Sequence, residues 1–228
     1  MSATRRSFFD LFLALAQPPA PAKFSARGEP LPFAGNTILC PLPAGHPYSQ
    51  FQQTLRAWKS LAVLPEASLH MTVFDGVLDH LRTPPLWPSD LPANAPLDAC
   101  HNHFDQALAN LPFPSLLHLD FQAFHLTPAT IAIALTPPSD SPLRNLRNLL
   151  STTLKIRRPN HDAYQFHITL ASVLTQPPPP LANLLAAWTA QLRQTTPQLS
   201  LHAAYFCTFP NLTNFYPRRR LPSRPPLE

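Results

Sequence analysis

Proline is the feature that most limits what this chain can fold into: 31 of its 228 residues are proline, against four glycines. Proline fixes φ and has no N–H to donate, so it ends helices, keeps to sheet edges and stiffens loops. Long uninterrupted elements are excluded; short strands and helices between rigid connections are expected. The chain has no Gly-x-y period and no sustained heptad, which removes fibrous and coiled-coil folds. Apolar residues, at 45%, suffice for a sizeable core. Charged residues, at 13%, are about half the usual share of roughly 25%. The length fits one large domain or two tightly joined lobes. Cys40, Cys100 and Cys207 are too few and too dispersed for a disulfide or metal scaffold.

Lys plus Arg number 17 and Asp plus Glu 12, a formal charge of +5. The surplus sits at the ends: Arg5 and Arg6 at the front, and Arg218, Arg219, Arg220 and Arg224 in the last 11 residues. Without those six, 11 basic residues face 12 acidic ones, so a broad nucleic-acid-binding face is not expected. No apolar run approaches the roughly 20 residues of a membrane span, so no membrane partner is expected. Residues 8–16, after Arg5-Arg6, look like a short signal core, but Asp10 interrupts it. A packed or loose arm is the first expectation, organellar targeting the second and a secretory signal the third. The odd cysteine count lends no support to an oxidising compartment, so the cytoplasm is favoured.

The apolar pattern places a Pro/Ala-rich linker over 18–32 and a first strand over 36–40. A helix follows over 47–64, where Phe51, Leu55, Trp58 and Leu61 recur at helical spacing before Pro65. Strands are expected over 69–77, 116–126, 129–136, 164–173 and 199–208. Further helices are expected over 98–111, capped by Asp98, over 143–154 after Ser141-Pro142, and over 181–195. The last 20 residues read as irregular. This order defines an α+β chain with helices covering short strands. Three segments result: an arm and linker over 1–29, a domain over 30–217, and a basic Pro/Arg-rich tail over 218–228.

Two of these strands carry the same pattern, Leu69-His70-Met71-Thr72-Val73-Phe74 and Phe166-His167-Ile168-Thr169-Leu170. Side chains alternate faces along a strand, so His70 and Thr72 share one face while Met71 and Val73 point into the core. His167 and Thr169 share a face in the same way. Two such strands side by side make a near-symmetric site of two imidazoles and two hydroxyls. The triplet alone is weak evidence, because composition gives about 1.4 His-x-Ser/Thr triplets by chance. A third one, His125-Leu126-Thr127, runs into Pro128 and reads as a strand end. His101-Asn102-His103 with Asp105 is a poor metal site, because residues two apart on a helix do not share a face.

With these motifs the chain resembles the 2H phosphoesterase superfamily, closest to the cyclic-phosphodiesterase-like branch known as a domain of unknown function. The resemblance also rests on Phe33-Ala34-Gly35-Asn36-Thr37-Ile38, Cys40-Pro41-Leu42, Asp75-Gly76-Val77 and residues 209–217, and it covers about residues 30–217. It implies two pseudo-symmetric lobes, each a small antiparallel sheet with outer helices, around a central cleft. It also implies metal-independent hydrolysis of a 2′,3′-cyclic phosphate or related nucleotide phosphodiester, with no cofactor and a monomeric protein. His70 and His167 would exchange protons with the leaving ribose oxygen and with water, His70 as acid and His167 as base by analogy. Thr72 and Thr169 would donate to phosphoryl oxygens.

Substrate contacts are expected from Tyr164 and Tyr205, which border the cleft strands, and from Asn36, which lines the cleft or caps the first strand. Tyr48 and Phe215 are further aromatic candidates, and Arg157 and Arg158 candidate phosphate partners. Asp75 follows the first motif, but its odd separation from Thr72 puts it on the other face of a straight strand. The alternatives are an RNA end-processing phosphodiesterase or ligase, which uses the same four side chains, and a catalytically silent nucleotide- or RNA-binding domain. The near-neutral middle of the chain favours a small nucleotide over a long RNA. A pure interaction domain leaves the paired motifs unexplained.

Overall fold

The computed structural model describes residues 21–224. Residues 1–20 of the expected arm and linker, and the last four residues of the basic tail, lie outside them. In chain order the elements are β1 (Gly35–Pro41), α1 (Ser49–Leu55), β2 (Leu61–Val63), β3 (His70–Leu78), α2 (Leu97–Leu108), β4 (Phe113–Pro114), β5 (Leu117–Leu126) and β6 (Thr130–Thr136). They continue with α3 (Leu143–Leu154), β7 (Phe166–Val173), α4 (Pro180–Thr195), β8 (Gln198–Leu201), β9 (Tyr205–Asn211), β10 (Asn214–Arg220) and β11 (Ser223–Arg224).

The fold is α+β. One antiparallel sheet runs in the order β10-β9-β1-β3-β7-β6-β5-β8, with β2 also paired to β7. It has two halves. Strands β10, β9, β1 and β3 are backed by α2, whose Phe104 meets Phe206 at 5.9 Å, and by α3, whose Arg147 Nη1 donates to the Val73 carbonyl. Strands β7, β6, β5 and β8 are backed by α4 and α1, where Trp188 packs on Phe124 and Phe51 at 5.5 and 4.7 Å. The chain interleaves the halves, because α1 comes before β3 yet covers the β5–β6 side. The halves join where Met71 pairs with Ile168, the single registered pair between β3 and β7. Away from that pair the two strands diverge, which opens a cleft along them.

Three expectations need correction. The helix over 47–64 stops at Leu55, and Leu61–Val63 is a strand against β7. Leu61-Ala62-Val63 is short and apolar, so it fits either period, and pairing decides. The strand over 199–208 is two strands, broken at 202–204. The last stretch is not irregular: β10 pairs with β9 as an edge strand that tolerates Pro217, and Ser223–Arg224 pairs with Phe113–Pro114.

Burial sets the acid response of the fold. His46, His101 and His161 are each about 5–6% exposed, and desolvation pushes their pKa below the ordinary 6.5 despite Glu66 near His46 and Asp98 near His101. His70 falls furthest, to about 4. The folded chain therefore binds fewer protons than the unfolded chain below pH 6.5, and stability is lost as pH falls from there toward 4. The thermal midpoint is expected to drop by several degrees between pH 7 and pH 4.5. A midpoint that stays level over that interval contradicts this account.

Candidate active site

The two motif strands cross at Met71 and Ile168, both fully buried, and this sets the cleft face. His70 and Thr72 stand on that face of β3, and His167 and Thr169 on that face of β7, all four half-buried. The antiparallel crossing relates the two motifs by a local twofold. The imidazoles are held alike. His70 Nδ1 donates to the Ser68 carbonyl at 2.7 Å, and His167 Nδ1 donates to the Gln165 carbonyl at 2.8 Å. A carbonyl only accepts, so each Nδ1 carries the hydrogen and each Nε2 is left to take or give a proton in the cleft.

The twofold extends one position beyond the motifs. In the β1–β3 register Ile38 faces Phe74 but Leu39 faces Thr72, so Val73 is an extra, bulged residue. In the β6–β7 register Ile131 faces Ala171 but Ala132 faces Thr169, so Leu170 is bulged as well. A bulge shifts the alternation by one residue. It brings Asp75 to the face of Thr72, and Ser172 to the face of Thr169. The bulged carbonyls find separate partners: Arg147 Nη1 reaches Val73 O at 2.6 Å, and the Leu64 N–H reaches Leu170 O at 2.9 Å.

These side chains share one cavity of about 320 Å³, at the small end of ligand sites. Phe33, Phe209 and Phe215 form an aromatic wall, in which Phe215 meets the His70 ring edge-on at 4.4 Å and Phe209 at 5.3 Å. Lys23 reaches in over Phe33, and Arg158 enters beside Gly76, whose carbonyl it binds at 2.8 Å. His70 is pushed down to about 4 mainly by burial, with the His167 charge acting in the same direction and the Ser68 carbonyl and Asp75 opposing it.

The expected catalytic four thus face one space, and Asn36 lines it too, 1% exposed, with Oδ1 accepting the Val77 N–H at 3.0 Å. Tyr164 does not line it. Its ring lies buried 3.7 Å under the Arg147 guanidinium. Tyr205 lines a neighbouring cavity of about 260 Å³, which shares His70 and Phe215 with the first. Tyr48 is core, and Arg157 is tied to Asp162 at 2.5 Å. Asp75, Ser172, Thr37, Lys23, Phe33 and Phe209 were not expected; Asp75 and Ser172 escape notice because parity assumes a straight strand. His101, His103 and Asp105 point to Asp98, Asp90 and Arg219 respectively. Among the described residues no group of three or more His, Cys, Asp or Glu is placed to hold a metal ion. Nor is any described helix long and apolar enough to cross a membrane.

Fold and site together define a two-histidine phosphoesterase architecture. The family model described as 2H-phosphodiesterase, domain of unknown function (DUF1868), matches residues 23–132, which include the first motif and stop before the second. The crystal structure of a conserved protein of unknown function from Agrobacterium tumefaciens str. C58 is 30% identical with a TM-score of 0.76, covering 88% of this chain and 92% of that one. E. coli LigT complexed with NADP+ is 14% identical with a TM-score of 0.48, covering 82% and 96%. A Thermus thermophilus protein of known structure is 14% identical with a TM-score of 0.46 and the same coverage. Among curated proteins none matches. The chain belongs to the 2H phosphoesterase family, in its DUF1868 branch.

Proposed function

We propose that this protein hydrolyses a 2′,3′-cyclic phosphate or related nucleotide phosphodiester with its two imidazoles as acid and base. The observation that carries this reading is the matched pair of histidines. Each has Nδ1 fixed on a carbonyl, each leaves Nε2 to the same cavity, and each has a threonine hydroxyl beside it.

One Nε2 takes a proton from water as the water oxygen bonds to phosphorus. The phosphorus–oxygen bond to the ribose breaks, and the departing oxygen takes a proton from the other imidazolium. The product is a nucleoside monophosphate. Thr72 and Thr169 donate to the non-bridging oxygens, where charge builds in the transition state. Proton transfer and charge stabilisation are both supplied by side chains, so the step requires no metal. Burial keeps His70 neutral near pH 7. The donor role that analogy gives it therefore depends on the substrate anion, which raises a neighbouring imidazole's pKa. The aromatic wall gives the base a stacking surface.

The cavity beyond Phe215 favours a second reading, an RNA end. It adjoins the site through His70 and Phe215 and offers Tyr205 to a flanking nucleotide. The test is turnover of the four nucleoside 2′,3′-cyclic monophosphates and of a short RNA ending in a cyclic phosphate, all in EDTA. Conversion of the mononucleotides to monophosphates is expected. Turnover of the RNA alone selects the second reading, and folded protein that converts neither overturns both.

A further inference from the structure

The Asp75 side of the cavity holds polar groups that the catalytic step does not use. Asn36 is 1% exposed; its Oδ1 is committed to Val77, and its Nδ2 has no hydrogen-bond partner. A buried donor without a partner is costly, and this one lines the cavity. Asp75 stands next to it, brought to the cavity face by the Val73 bulge and paired in register with Thr37, the neighbour of Asn36. Among the described residues the Asp75 carboxylate has neither a hydrogen bond nor an ion pair. The Thr37 hydroxyl is already donated to the Phe74 carbonyl at 3.2 Å, so it offers no donor here.

Asn36 and Asp75 thus bring one unpartnered donor and two acceptor oxygens to the cavity that Phe33 and Phe209 also line. A base that satisfies all three must show an acceptor and two donors. Guanine does so along one edge, with O6, N1–H and the N2 amine. Adenine offers one acceptor and one donor, uracil meets the second carboxylate oxygen with a carbonyl, and cytosine places its ring nitrogen acceptor against the carboxylate.

We propose that this end of the cavity is a guanine-recognition site, which makes a guanosine phosphodiester the preferred substrate class. This rests on the hydrolytic reading above. Stacking on the aromatic wall and hydrogen bonds to the base edge together read a base lifted out of its stack. Arg158 and Lys23 line the same cavity, and their positive charge compensates the carboxylate where a phosphate must also be admitted.

The experiment compares kcat/KM for guanosine and adenosine 2′,3′-cyclic monophosphates in the wild type and in Asp75→Asn. A guanosine preference of about tenfold or more is expected, from the worth of one bidentate base contact. Asp75→Asn turns one acceptor into a donor and should abolish the preference; any loss it causes through the charge on His70 is common to both bases and cancels in the ratio. Equal kcat/KM for both bases overturns the inference and leaves hydrolysis standing. So does an Asp75→Asn loss that is the same for both. Calorimetric binding of guanosine and adenosine 3′-monophosphates to the wild type decides the question even if no cyclic phosphate is turned over. Roughly tenfold tighter guanosine binding supports the site, and equal affinities remove it.

Discussion

Replacing either His70 or His167 with alanine is expected to lower cyclic-phosphate turnover by about 10²–10⁴, with little change in the thermal midpoint. Both rings are half-buried on the cleft face. The core beneath them is built by Met71 and Ile168, which the substitutions leave alone. Each variant loses one hydrogen bond, from Nδ1 to the Ser68 or Gln165 carbonyl. Gln165 is exposed, so water replaces the donor its carbonyl loses, while the buried Ser68 carbonyl costs about 1 kcal/mol. Activity therefore falls far more than stability. The double variant should be little worse than the poorer single one, because acid and base act in one concerted step and their losses do not multiply. The readout is kcat and KM for each variant beside its circular dichroism melt. A single variant that keeps wild-type kcat would show that its imidazole moves no proton, and the two-histidine mechanism would fail with it.

The part of this site that the sequence made legible is the part that stays inside straight strand. His70 with Thr72, and His167 with Thr169, are two residues apart, so alternation alone puts them on one face. Asp75 and Ser172 lie three residues beyond the threonines, across the bulges at Val73 and Leu170. One extra residue reverses the parity, and neither Val-Phe nor Leu-Ala announces a bulge. The group that supports the first bulge, Arg147, lies 74 residues away on α3. Tyr164 was misplaced for the same reason: its burial under Arg147 is a long-range contact with no local signature. The α3 boundaries, by contrast, follow from local chemistry, since Ser141-Pro142 starts the helix and 143–154 keeps its apolar spacing. Residues 214–220 are rich in arginine and proline, and only pairing with β9 makes them a strand. The resemblance reached the fold and the four catalytic candidates, whereas the residues that distinguish one half of the cavity from the other required the register.

Gly76→Ala is expected to be far more damaging than an added methyl group usually is. A Cβ at Gly76 would overlap both the side-chain and carbonyl oxygens of Asn36 and lie 2.9 Å from its carbonyl carbon. Two of those three atoms are backbone, so a side-chain rotation cannot relieve the clash, and β1 must move away from β3. Moving it weakens the Asn36 Oδ1 bond to the Val77 N–H, leaving a buried amide without a partner. Overpacking and a lost buried hydrogen bond together amount to about 3 kcal/mol. For a chain of this length that is a fall of roughly 6–12 °C in the thermal midpoint. Gly45→Ala is the contrast. Gly45 has φ of +73° but nothing within 4 Å of its would-be Cβ, so only left-handed strain remains, about 1–2 kcal/mol. If Gly76→Ala melts no earlier than Gly45→Ala, the close approach of β1 to β3 at Asn36 is wrong, and the placement of the Asn36 amide in the cavity is wrong with it.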